Sequence, residues 1–200
     1  PMILAAINMT TGASVWNWTS SGRIRRGAAV ADGLVFVATD GSQVCAINET
    51  TGTTKWTHSV SMRASAPAVV DGIVYVNSMY SVLALYAANG TQKWSFPTGS
   101  YKFSNEPAVA EGKVFAGNEN DTLYCLDAAD GSLLWSRKVA GDIYESAPAV
   151  AAGKVYVGDE GGNVTCFTTT GDYVWSYTTG GPDFRSTPAI ADGKVYIGSG

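Results

Sequence analysis

The sequence predicts an all-β fold, a propeller of five four-stranded blades whose ring is closed by strands from both termini. Three observations carry this. Trp16, Trp56, Trp94, Trp135 and Trp175 recur at spacings of 40, 38, 41 and 40 residues. Gly12, Gly52, Gly90, Gly131 and Gly171 each stand four residues before one of those tryptophans. A further series, Gly33, Gly72, Gly112, Gly153 and Gly193, is spaced 39, 40, 41 and 40. A period near 40 residues marks a repeat architecture. No stretch carries the apolar stripe of a helix, which excludes an α-solenoid of similar period.

Each copy reads as four short strands. In the third full copy they run over Glu106–Ala110, Lys113–Gly117, Thr122–Leu126 and Ser132–Trp135, separated by turns at Glu111-Gly112, 118–121 and Ala129-Asp130-Gly131. Alternating apolar residues, β-branched and aromatic side chains, and Asp-Gly or Asn-Gly turns support that reading. Pro67, Pro107, Pro148 and Pro188 fall at the start of the first strand, where a missing N–H is tolerated. The expected blades are 26–58, 65–97, 105–139, 146–178, and 186–199 together with 3–20. In that last blade the C-terminal end supplies the first and second strands and the N-terminal end the third and fourth, which hides the open edges of the array.

Composition narrows the function classes. The chain has 200 residues, 46% apolar and 15% charged, enough to bury a core and too apolar for disorder. A net charge of -4 argues against a nucleic-acid binder. No apolar run reaches the ~18 residues that span a bilayer. The opening Pro-Met-Ile-Leu shows no charged n-region or cleavage site, so a signal peptide either never existed or has been removed.

The units Ala46–Trp56 (AINETTGTTKW), Cys125–Trp135 (CLDAADGSLLW) and Ala147–Gly158 (APAVAAGKVYVG) resemble the pyrroloquinoline-quinone-like propeller repeat over the whole chain. The resemblance implies a propeller in which the repeat tryptophan docks between adjacent blades as a girdle. It leaves function open, because that family ranges from quinoprotein dehydrogenases to non-catalytic assembly and surface proteins. The dehydrogenases imply eight blades, a calcium held by Glu, Asn and Asp, and a vicinal cysteine pair. This chain shows five repeat sets and no Cys-Cys, so no cofactor is expected.

Catalytic and metal sites are likewise not expected. Cys45, Cys125 and Cys166 are read as small buried thiols, too far apart for a disulfide. His58 is the lone histidine and no C-x-x-C occurs, which disfavours zinc and a Ser-His-Asp triad. The acidic turns 118–121 and 159–163 lack the spacing of a calcium loop and read as solvated hairpins.

The segments leading into each first strand are more informative. They differ from copy to copy while the apolar landmarks repeat, and propeller topology gathers them at one mouth of the central channel. They predict a ligand-binding rim of Arg25, Arg26, Arg63, Phe103, Asn105, Tyr144, Glu145, Phe184 and Arg185. The bland alternative pairs the arginines with Glu106, Asp142, Glu145 and Asp183. A compartment signal comes from Asn8, Asn17, Asn48, Asn89, Asn120 and Asn163, each opening an Asn-x-Thr glycosylation triplet. The expectation is a non-enzymatic extracellular or cell-surface scaffold that engages a protein partner or a surface assembly. The alternatives are a small-ligand or carbohydrate-binding propeller using the mouth, and a fragment of a quinone-dependent oxidoreductase.

Overall fold

A computed structural model describes residues 2–61, 63–99, 101–103, 105–181 and 186–198. Every regular element in them is a β-strand. Strands β1 (Met2–Ile7) and β2 (Ser14–Ser20) form a two-stranded sheet. Four antiparallel four-stranded blades follow, each in simple up-and-down order. Blade one is β3 (Ala29–Ala31), β4 (Leu34–Thr39), β5 (Gln43–Asn48) and β6 (Thr54–Ser59). Blade two is β7 (Ala68–Val70), β8 (Ile73–Ser78), β9 (Ser81–Tyr86) and β10 (Gln92–Pro97). Blade three is β11 (Ala108–Ala110), β12 (Lys113–Asn118), β13 (Thr122–Asp127) and β14 (Leu133–Lys138). Blade four is β15 (Ala149–Ala151), β16 (Lys154–Gly158), β17 (Asn163–Thr168) and β18 (Tyr173–Thr178). A final pair, β19 (Ala189–Ala191) and β20 (Lys194–Tyr196), makes another two-stranded sheet.

Burial explains the composition of each strand. The second and third strands of a blade are covered on both faces, so they read as near-continuous apolar runs: every residue of β8 is buried. The fourth strand meets solvent and alternates; in β14 only Trp135 is buried. The core is divided into layers between blades. One layer joins Phe36, Val44 and Trp56 of blade one to Val74 and Leu85 of blade two, and a second joins Tyr75 and Trp94 of blade two to Val114 and Leu126 of blade three.

The first two strands of each blade are joined by a tight turn in which both central residues have positive φ, as at Asp32 (51°) and Gly33 (75°). That is the type I′ geometry matching strand twist. The glycine before each tryptophan has a different role. A Cβ on Gly52 would stand 2.8 Å from the Trp16 ring, on Gly90 2.5 Å from Trp56, on Gly131 2.6 Å from Trp94, and on Gly171 2.9 Å from Trp135. Each glycine is therefore the seat for the tryptophan one blade earlier, not for the one four residues on. Each indole also donates its Nε1–H across the same boundary: Trp16 to Glu49 O (2.8 Å), Trp56 to Ala87 O (2.7 Å), Trp94 to Ala128 O (3.0 Å) and Trp135 to Thr169 O (3.2 Å).

Register also explains a run of small residues in the third strands. Ala46, Ala84, Cys125 and Cys166 lie directly opposite Trp56, Trp94, Trp135 and Trp175, where a larger side chain would compete with the indole. All three cysteines are free and buried. Burial pushes the Cys125 thiol up to about 12, with Lys113 pulling it down and Asp127 up by smaller amounts.

At the two ends the pairing and burial are less complete than in the four full blades. Among the described residues no ladder joins β20 to β1; the two terminal pairs are separate sheets. Trp175, one of the tryptophans that the resemblance places in the girdle between blades, is only half-buried. Trp175 lines a groove beside β20, together with Val195 and Tyr196.

Candidate functional site: the mouth of the propeller

Antiparallel order places the approach to each first strand beside the turn between the second and third strands. Backbone hydrogen bonds fasten the two together. Asp40 N–H donates to Arg23 O (2.9 Å), Phe103 N–H to Met79 O (2.9 Å), Glu119 N–H to Lys102 O (2.9 Å) and Glu160 N–H to Asp142 O (3.0 Å). Side chains from all four blades are thereby held around one cleft of about 230 Å³.

Six of the expected rim residues line it: Arg25, Arg26, Arg63, Phe103, Tyr144 and Glu145. Phe103 forms floor rather than rim; it is buried and meets Tyr124 edge-on at 6.1 Å. Asn105 does not line the cleft. It is fully buried beneath it, accepting from Asn77 Nδ2 and donating its own amide to Gly117 O (3.0 Å), Ile143 O (3.1 Å) and Tyr144 O (3.2 Å). Its role there is to position the segment carrying Tyr144. Phe184 and Arg185 lie outside the described residues.

The electrostatics are mixed. Arg26 pairs with Glu106 at 3.1 Å and reaches Glu145 at 3.9 Å, and Arg25 pairs with Asp40. The bland pairing therefore holds for Arg26, whereas Arg25 finds an acid from the turn of its own blade. No ion pair to Arg63 or Lys102 occurs among the described residues; both line the cleft together with Asp40, Glu119 and Glu145. Asp142 faces acids instead of arginines. Burial, then a hydrogen bond and repulsion from Asp121, with Glu160 and Glu119 behind, hold its carboxyl above the ordinary range. Asp183 lies outside the described residues.

Sequence reasoning missed Asp40, Met79 and Glu119, which also line the cleft. All three sit in turns between second and third strands. The up-and-down strand order already put those turns at the mouth, so the signal was present in the topology rather than in the residue types.

The six glycosylation triplets fall in different settings. Asn8, Asn17 and Asn89 are exposed, whereas Asn48, Asn120 and Asn163 are half-buried. Asn8, Asn48 and Asn89 use Oδ1 to cap their own turns, as in Thr10 N–H and Thr11 N–H to Asn8 Oδ1, both 2.9 Å. Asn163 donates its amide to Asp159 at 2.9 Å, which occupies the nitrogen that a glycan would need. Turn geometry thus accounts for much of the repetition of these triplets. Among the described residues no group of three or more His, Cys, Asp or Glu could hold a metal ion, and no helix is long and apolar enough to cross a membrane.

Known proteins share this architecture. The chain is 28% identical over 135 residues to the outer membrane protein assembly factor BamB of Yersinia pestis, a match covering 59% of this chain and 34% of that protein. It thus spans about a third of that relative's length. The crystal structure of BamB from Moraxella catarrhalis superposes with a TM-score of 0.68 at 15% identity, covering 99% of this chain and 86% of that one. The quinohemoprotein alcohol dehydrogenase of Comamonas testosteroni superposes with a TM-score of 0.73 at 20% identity over 89% of this chain and 39% of that one. At such identities these two structures show the fold alone. The family model described as outer membrane protein assembly factor BamB matches residues 2–102 and again 81–200, so the chain belongs to that family of PQQ-like repeat propellers.

Proposed function

We propose that the chain is a non-enzymatic interaction propeller, exported and displayed outside the cytoplasm, that holds a protein partner or a surface assembly at its mouth. One observation carries this reading. The interfaces between blades repeat one design, while the cleft is assembled from different residues of four blades and gathers Arg63, Lys102 and Tyr144 around one opening. A fixed frame with a varied polar and aromatic surface is the organisation of a binding scaffold. Membership in a family described by an assembly factor supports the same class.

The exposed triplets at Asn8, Asn17 and Asn89 are the positions where N-glycans would be carried. Intact mass of material from the native source checks this: hexose-type additions at those asparagines support export, and an unmodified mass removes the glycoprotein part of the reading.

A second reading is favoured by the cleft itself. Its volume of about 230 Å³ lies below the ~300–1,000 Å³ of drug-sized sites. That suits one sugar ring, or one side chain of a partner, with a guanidinium beside an aromatic face. Glycan and acidic-peptide arrays probed with the unmodified chain and with the double variant Arg63→Ala, Tyr144→Ala test both readings. Peptide binding lost in the variant supports a protein partner, and sugar binding lost in it supports a carbohydrate site. Binding that survives both substitutions places the site elsewhere.

A further inference from the structure

Around the cleft, the rim of the mouth divides its charge by position. The segments leading into blades one, two and three carry Arg23, Arg25, Arg26, Arg63 and Lys102. The segment leading into blade four, and the turns between second and third strands of blades three and four, carry Glu119, Asp121, Asp142, Glu145 and Glu160 and no lysine or arginine. A sixth acid there, Asp159, is buried and engaged by the amide of Asn163. The two runs meet at a seam where Glu119 N–H donates to Lys102 O at 2.9 Å. The rim therefore has a basic side and an acidic side, each drawn from neighbouring blades.

Internal pairing uses only part of this charge. Arg25 holds Asp40, and Arg26 reaches across to Glu106 and Glu145. Arg23, Arg63 and Lys102 are exposed and make no ion pair among the described residues. On the acidic side the carboxylates face one another. Burial, then a hydrogen bond and repulsion from Asp121, with Glu160 and Glu119 behind, hold the Asp142 carboxyl above its ordinary range. Lys138, the last residue of β14, donates to Asn120 O and pairs with no carboxylate among the described residues. Acids crowded together in this way favour a cation brought from outside.

The basic side also presents apolar surface. Tyr80, in the turn of blade two, and Tyr101, just before Lys102, are both exposed. Thr98 ties them together, its N–H donating to Tyr80 O (2.9 Å) and its hydroxyl to Tyr101 O (3.0 Å). Exposed tyrosines among arginines are the composition of a protein contact, where aromatic rings supply the buried area and charges set the orientation.

We propose that the mouth docks a second copy of this chain, face to face, with the basic side of each copy on the acidic side of the other. The inference rests on the mouth being the docking face, as proposed above, and names its partner. A face that carries both signs in separate halves is self-complementary under one two-fold axis, lying in the plane of the mouth along the seam. Rotation about that axis exchanges the sides. It brings the side of Arg63 and Lys102 over the side of Asp121 and Glu160, and the same contact forms again at the symmetric place. The in-plane axis at right angles to the seam sets like charge on like charge and is disfavoured. Such an isologous contact closes at two copies. Because charge orients it, it weakens as salt rises.

Sedimentation equilibrium of the unmodified chain, from micromolar to near-millimolar concentration, tests this at ~0.01 M and ~1 M salt, between which the screening length falls from ~30 to ~3 Å. The expected result is a monomer–dimer equilibrium at low salt that shifts to monomer at high salt. This comparison needs no variant, so it decides the proposal even where a variant misfolds. Two charge-reversed variants then fix the arrangement: Arg63→Glu with Lys102→Glu, and Asp121→Lys with Glu160→Lys. Each alone sets like charge on like charge and stays monomeric. An equimolar mixture regains the dimer, because the two reversed sides match each other and the two unmodified sides match as before. Circular dichroism checks the β fold of both. A chain that stays monomeric at low salt overturns the proposal. So does a dimer that survives either reversal, or a mixture of folded variants that fails to associate. A monomeric chain whose array binding is still lost in Arg63→Ala, Tyr144→Ala removes the second copy and leaves the proposed function standing with another partner.

Discussion

The boundary between blades three and four and the boundary beyond blade four start from the same parts and end differently. In the first, Trp135 is packed against Phe115 of its own blade and Phe167 of the next, bonded to Thr169 O and seated on Gly171. In the second, Trp175 has the partner in its own blade, Tyr156, and among the described residues none of the rest. The difference teaches that a blade of this repeat is completed from outside. A four-stranded sheet brings an aromatic pair to its surface, and only the neighbouring blade supplies the carbonyl, the glycine seat and the apolar cover. Stability in such an array is a sum over neighbours, with the end units weakest.

The largest expected effect comes from the girdle. Trp135→Ala removes a buried ring and leaves a void, at a cost of ~3–5 kcal/mol, a large fraction of a stability of ~5–15 kcal/mol. Trp175→Ala loses only the packing against Tyr156 within its blade and should fall well short of Trp135→Ala. Chemical-denaturation midpoints of the two variants measured side by side decide this. An unchanged midpoint for Trp135→Ala would sink the girdle itself.

A glycine comparison sharpens the same point. Gly131→Ala forces a Cβ to 2.6 Å from the Trp94 ring at a φ of 78°, so it combines overpacking with backbone strain and should cost ~2–4 kcal/mol. Gly33→Ala meets the same left-handed backbone, φ 75°, in open space, and should cost only ~1 kcal/mol. Equal losses at the two positions would show that conformation alone, and not the seat for the indole, explains the repeat glycine.

How much of this was legible in the sequence depends on whether a feature is local. The strands and the Asp-Gly turns follow from alternation and turn chemistry, and they were readable. The tryptophan and the glycine were found as a pair four residues apart, but their physical partnership runs to the preceding blade, across 36 residues from Trp16 to Gly52, and spacing alone does not show direction. At the mouth, Arg25, Arg26, Arg63 and Tyr144 were found because they vary between copies. Asn105 varies too, yet it serves the backbone of the next blade, and nothing in its residue type separates a buried amide from an exposed one. Closure was read from the complementarity of the ends, which says that the strands match and not that they meet.

A smaller effect is expected at the turn of blade four. Its first turn residue is Ala152, at φ 50°, where the equivalent turns use Asp32, Asp71, Glu111 and Asp192. An alanine Cβ is strained in this region, whereas asparagine adopts it readily. Ala152→Asn should therefore stabilise by ~0.5–1 kcal/mol, and Asp32→Ala should lose a similar amount. Thermal melts of both variants check the pair, and a melting temperature lowered by Ala152→Asn would contradict the turn assignment.

The smallest effect is a pH dependence confined to one boundary. Asp142 sits between blades three and four with its carboxyl held above the ordinary range, first by burial and then by its hydrogen bond to Asp121 and repulsion from Asp121, Glu160 and Glu119. The folded state therefore binds this proton more tightly than the unfolded state does. By linkage, the ionised group destabilises the fold above the raised folded value. That penalty fades as pH falls through the folded value, and it vanishes below the unfolded value of ~3.9, where both states are protonated. Asp142→Asn should accordingly raise the denaturation midpoint at neutral pH, with an advantage that shrinks toward acid. The effect stays small because the group is partly exposed and screened. The turn between the second and third strands of blade one carries Asp40, which is paired with Arg25 instead of facing acids. Removing that acid with Asp40→Asn should lower the neutral-pH midpoint rather than raise it. Opposite signs at the two turns, measured at low salt and converging as salt is added, are the expected outcome; the same sign at both would mean that the local charge environment does not govern either.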